Sequence, residues 1–132
     1  MRRALVRLWA TALWISLPYR LFLWHRTDYL GHVIAGFGAT LLLLCLPPLF
    51  RRRMSDKRVL ATVLLAIAFG FGTEMTIFKI AKFDPVDFAN QSLGACIAGL
   101  CLLNQEWVPN VASWVLVSSG FCMLAGIVIA HG

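Results

Sequence analysis

The sequence predicts an all-α, polytopic transmembrane bundle of about five helices with its N-terminus in the cytoplasm. Three observations lead there. Apolar residues make up 60% of the 132 residues and charged ones only 14%. The apolar residues run in long blocks rather than alternating, and the charged residues gather at block ends. A soluble domain of this size exposes much of its surface and needs more charge to stay dispersed. A mean hydropathy of +0.78 points the same way. With no internal repeat or low-complexity linker, residues 1–132 are expected to form a single transmembrane domain.

A span needs about 20 mostly apolar residues. The first block runs over 5–24, where Arg7 and Arg20 leave only Leu8 to Tyr19 uncharged. It either spans with both arginines snorkelling or lies in the interface as an amphipathic helix; Trp9, Trp14, Tyr19 and Trp24 suit interfacial depths. Arg2, Arg3 and Arg7 ahead of it resemble a signal peptide, but no small-residue cleavage site follows, so a retained span is expected. The second block, 29–50, closes at Pro47-Pro48 and is followed by Arg51, Arg52, Arg53, Lys57 and Arg58. The third covers 59–80, and a polar stretch from Lys82 to Asp84 links it to the fourth, 86–103. A turn with Asn104, Gln105 and Glu106 precedes the fifth, 111–130, which carries no charge.

Five spans place the N-terminus and the 51–58 loop on one side, with 8 of the 12 basic residues: Arg2, Arg3, Arg7, Arg51, Arg52, Arg53, Lys57 and Arg58. Arg20, Arg26, Lys79 and Lys82 fall on the other. Excess Lys and Arg marks the cytoplasmic side, which gives a multi-pass protein of the inner (plasma) membrane. The net charge of +6 is therefore read as topology and not as a nucleic-acid footprint. Cys45, Cys96, Cys101 and Cys122 lie inside apolar blocks without CxxC spacing and read as packing residues.

The acidic residues carry the functional signal. Asp28, Glu74, Asp84 and Asp87 sit at the outer ends of blocks two, three and four, joined by His32, Asn90 and Gln91. Ionisable groups at membrane depth are costly and face the protein interior. Asp28, His32, Gly36 and Thr40 recur every four residues and share a helix face, as do Glu74, Gly70 and Ala66, and again Asp87, Asn90 or Gln91, Gly94 and Ala98. Each stripe has a polar head and small residues below it, which lets helices approach and polar heads bond across the seam. Three such faces would gather Asp28, His32, Glu74, Asp87 and Asn90 into one outward-facing pocket. Gly36, Gly70, Gly72, Gly94 and Gly99 are expected at helix packing points. Ser118, Cys122, Gly126 and Ala130 form a further seam, for a helix of this chain or of a partner.

The stretches TDYLGHVIAGFG, GTEMTIF and FDPVDFANQSLGACIAG together resemble the VanZ-like family of bacterial membrane proteins. That family has an Asp-x-x-x-His opening one span, a Glu ending the next, and an Asp-x-x-Asn-x-x-x-Gly run entering the following one. The matching positions are Asp28, His32, Glu74, Asp87, Asn90 and Gly94, within roughly residues 28 to 100. Two positions depart: Ile77 stands where the family usually has Gln, and only Lys79 or Lys82 can stand in for its usual Arg. The resemblance implies a cell-envelope role, members being linked to tolerance of glycopeptide antibiotics such as teicoplanin.

Two chemistries suit the pocket. Asp28 can orient His32 as a general base, or the pair can be an interhelical clasp. Asp84 before Pro85 reads as a helix cap, and Lys79 and Lys82 as snorkelling residues. Carboxylates with one His suit hard cations, but no recognised ligand spacing is present, so neither metal nor cofactor is expected. No Walker loop, HExxH or nucleophile elbow occurs, and catalytic residues stay unassigned. The sequence thus supports a pocket for a polar lipid or lipid-linked envelope precursor, with a non-enzymatic accessory subunit of a membrane complex as the alternative. A C-terminal fusion to a reporter active only outside the cytoplasm should be active; activity of a cytoplasm-only reporter there overturns the five-span topology.

Overall fold

The helices begin on polar residues that lie just outside the apolar blocks. The structure, a computed structural model, describes residues 2–44, 55–76, 83–102 and 109–131. The carbonyl of Ser55 accepts the N–H groups of Arg58 and Val59 at 2.9 and 3.1 Å. Asp84 Oδ1 accepts the Val86 N–H at 2.8 Å, which makes it the cap of the helix opened by Pro85. Five helices result: α1 Arg2–Phe22, α2 Thr27–Leu44, α3 Asp56–Thr76, α4 Pro85–Leu102 and α5 Pro109–His131. Among the described residues there is no strand. Each helix starts slightly ahead of its apolar block, because caps and not hydropathy set the first turn. The expectations for Cys45, the loop at 51–54, Lys79, Lys82 and the turn at 104–108 lie outside the described residues.

Among the described residues two helices, α2 and α3, are long and apolar enough to cross a membrane, and α5 contributes a shorter apolar stretch, Trp114–Ala130. The arginines of α1 and the Asp87, Asn90 and Gln91 of α4 keep those helices below that standard. The protein is therefore an all-α bundle with two helices of spanning character.

Close backbone contact organises the bundle around α2. A Cβ on Gly36 would strike the backbone of Gln91 in α4, and one on Gly94 would strike the backbone of Val33 and Phe37 in return. On another face, Gly31 meets Gly126 and Ala130 of α5, and Gly38 meets Ser119 and Met123. Of the seam expected along Ser118, Cys122, Gly126 and Ala130, Gly126 and Ala130 meet α2 of this same chain, and Ser119 and Met123 join them. Gly70 and Gly99 face side chains, those of Gln91 and Val63. Gly72 departs from expectation: a Cβ there meets nothing within 4 Å, because it points away from α4.

Register gives direction. Gly31 faces Ala130 while Gly38 faces Ser119, so α2 and α5 run antiparallel; His32 faces Asp87 and Gly36 faces Gln91, so α2 and α4 run parallel. On α1, Tyr19 bonds Asn90 and Thr11 is bonded by Cys101, so α1 opposes α4. Neighbours in sequence therefore alternate in direction. Phe37, Leu41 and Leu44 of α2 join Leu8, Val59, Ala98 and Val115 in the main core, drawing on all five helices. Around α2 the helices touch in the order α3, α4, α1, α5, and the two ends of that series, α3 and α5, make no sizeable contact with each other.

Gly94→Leu should force α2 and α4 apart at a cost of about 1–3 kcal/mol, read as a lowered unfolding temperature in detergent. Gly72→Ala, with open space around it, should be neutral or stabilising by about 0.5–1 kcal/mol.

Candidate functional site

Where the ring around α2 stays open, a cavity of about 260 Å³ forms. Its floor is the α2 face carrying His32, Gly36, Thr40 and Leu43. Ala66, Phe69, Thr73 and Glu74 of α3 form one wall, and Met123, Ile127 and Ala130 of α5 the other, with Gln91 and Ala95 of α4 behind. The polar residues cluster at one end, where the start of α2, the end of α3 and the end of α5 meet. The rest of the lining is small or apolar. This follows from the sequence locally: His32, Gly36, Thr40 and Leu43 recur at three- and four-residue intervals and share one side of the helix.

His32 and Glu74 therefore reach one cavity from different helices. Behind His32, Asp87 of α4 brings its Oδ2 to 3.5 Å from the imidazole Nε2, an ion-pair distance with both side chains mostly covered (14% and 22% exposed). The second oxygen, Asp87 Oδ1, is buried without a hydrogen-bond partner among the described residues, as is Ser92 Oγ. An unpaired buried carboxylate oxygen carries a desolvation cost, so this corner of the bundle is incompletely satisfied.

Two expected members of the pocket stand elsewhere. Asp28 was expected to orient His32, but, partly exposed in the first turn of α2, it accepts a hydrogen bond at 3.0 Å from Arg26 in the preceding connection. Its place in the first turn leaves it within reach of the incoming chain, where Arg26 also lies over the Tyr29 ring at 3.8 Å. The bond with Asp28 raises the Arg26 guanidinium further above its ordinary value. The carboxylate facing His32 is Asp87 instead. Asn90 was expected in the pocket, but its Oδ1 accepts the Tyr19 hydroxyl of α1 at 2.6 Å while its Nδ2 donates to the Val86 carbonyl at 2.9 Å. The neighbouring Gln91 takes the cavity position, one step of about 100° around the helix. Asp84 caps α4, as already described, and does not line the cavity.

Sequence reasoning missed Thr73 and the role of Tyr19. Thr73 lies next to Glu74, and its hydroxyl donates to the Gly70 carbonyl at 2.8 Å, so its oxygen can only accept from a ligand. Tyr19 carried a signal, since a phenol among apolar residues needs a partner, but nothing in the sequence named Asn90. Among the described residues no group of three or more His, Cys, Asp or Glu is placed to hold a metal ion. Cys96, Cys101 and Cys122 are free thiols.

No family model matches the chain, and neither does any curated protein or solved structure.

The Tyr19–Asn90 bond is the shorter of two polar links between α1 and α4, the other being Cys101 to Thr11. Tyr19→Phe removes a bond worth about 0.5–1.5 kcal/mol net and should speed amide hydrogen exchange in α1. Exchange in α2 and α4 should stay unchanged.

Proposed function

We propose that this chain is a VanZ-like, multi-pass protein of the bacterial inner membrane whose outer end engages the polar head of an envelope lipid or lipid-linked precursor. The observation that carries the reading is the meeting of His32 and Glu74 at the mouth of one cavity, with Asp87 behind the imidazole. An ionisable pair at such a depth belongs at a functional surface more often than in a purely structural one. The alternating helix directions support five passes, because a chain crossing repeatedly must reverse each time. Large apolar side chains on the outside, such as Trp14 at 73% exposure and Phe22 at 81%, support a lipid surrounding.

Within the site, the Asp87 carboxylate, 3.5 Å from Nε2, fixes the imidazole's orientation. Glu74 offers two further acceptor oxygens to a ligand's hydroxyl or amine. That arrangement binds; whether it also moves a proton depends on a substrate bond placed within reach of His32.

The accessory-subunit reading loses one of its supports, because the small-residue face of α5 is occupied by α2 of the same chain. Purification in mild detergent separates the two. The lipid reading expects the protein with bound lipid in mass spectrometry, and His32→Ala and Glu74→Ala folded but depleted of it. A hydrogen bond to a charged group is worth about 1.5–3 kcal/mol, so occupancy should fall roughly ten- to hundredfold. Full lipid occupancy in both variants makes the pocket structural, and a stoichiometric protein partner in place of lipid favours the subunit.

A further inference from the structure

We infer that the cavity holds one hydrocarbon chain of a single-leaflet amphiphile whose head donates hydrogen bonds, and that this molecule comes in sideways through the open seam between α3 and α5. The inference rests on the membrane reading and names the ligand class of that site.

Shape comes first. α2 packs tightly against α4 and α5, and α3 and α5, on either side of the cavity, make no sizeable contact with each other. The cavity sits under this seam. From His32 to Leu43 its floor follows α2 for about 16 Å at 1.5 Å per residue. That is roughly half of a 30 Å hydrocarbon core, the depth of one leaflet. Small residues on the floor, Ala35, Gly36 and Ala39, give it the depth that side chains would otherwise fill. The slot is narrow and lined by small and apolar side chains along one helix face. A hydrocarbon chain fits it.

Chemistry fixes the head. Thr40, deep in the slot, donates its hydroxyl to the Gly36 carbonyl at 2.8 Å, so the wall there asks for no polar partner. At the mouth, Glu74 is an acceptor with no hydrogen-bond or ion-pair partner among the described residues, and Thr73 can only accept. Among the described residues no Lys or Arg lines the cavity. A hydroxyl or ammonium head satisfies these acceptors, whereas a carboxylate or phosphate head meets the Glu74 charge.

Native mass spectrometry of the detergent-purified protein, titrated with dodecylamine, dodecyl glucoside or dodecanoate, tests this. Dodecylamine and dodecyl glucoside should each bind as one molecule per chain, and dodecanoate at least tenfold more weakly. Glu74→Gln should bring dodecylamine and dodecanoate to within about threefold of each other. Ala39→Leu, which fills the slot, should weaken both binders at least tenfold. Ile127→Trp, at the exposed edge of the seam, should do the same without touching the helix contacts of α2. Equal binding of dodecanoate and dodecylamine overturns the head assignment. Binding that survives both Ala39→Leu and Ile127→Trp overturns the slot, and if Glu74→Gln still weakens dodecylamine, the polar pocket itself stands. Indifference to Glu74→Gln and His32→Ala alike sinks the pocket as well.

Discussion

Gly36 and Gly94 let the backbones of α2 and α4 meet with no side chain between them, and Gly31 with Gly126 does the same for α2 and α5. Contacts this close have a fixed register, because sliding either helix by one residue drives a Cβ into a carbonyl. Register along α2 and α4 is what sets Asp87 opposite His32. Register along α2 and α5 places Ala130 beside the start of α2, and so brings the end of α5 to the polar end of the cavity. The polar end of the site is thus a consequence of glycine positions deeper in the bundle. It also follows that α3, held mainly through α4 by Val63 and Gly70 and against no glycine of α2, is the wall least constrained.

The cavity exists because two tight seams use up the contact surface of α2 on one side only. Ala35, Gly36 and Ala39 are small enough to admit a neighbour there, yet α3 leans toward α4 and α5 holds the opposite flank. Asp87 Oδ1, buried and unpaired, shows that the polar end is not optimised for stability alone. A core built only for packing would replace such a half-satisfied carboxylate with an apolar group at little cost.

Five helices and their approximate extents were legible in the sequence, because apolar blocks and breaks are local features. Helix starts were less so: Ser55 and Asp84 act outside the apolar runs. Four-residue spacing put His32 and Gly36 on one face, and the structure aims that face into the cavity. The same spacing misled at Asp28, where a shared helix face did not decide which neighbour the side chain met; Arg26, two residues away, was nearer. For Asn90 and Gln91 the sequence left two adjacent candidates, and only the rotation of α4 against α2 separates them. Gly72 failed for a related reason, since spacing gives a face but not what lies opposite it.

What sits outside and what sits inside can be weighed together. Val128 and Phe22 are 68% and 81% exposed, while Thr40 and Ser119 are fully buried. In water that distribution works against folding, since apolar area leaves solvent only incompletely. In hydrocarbon there is no hydrophobic gain to be had from packing, and association depends on close small-residue contact and satisfied polar groups. The hydroxyls follow that second logic: Thr11, Ser16, Thr40, Thr62 and Thr76 each donate to the carbonyl four residues back and ask nothing of their surroundings. His32, Glu74 and Asp87 do ask, and they do so at a single end of the bundle. Polar atoms satisfied along the bundle and left demanding at one mouth are what the proposed ligand site requires.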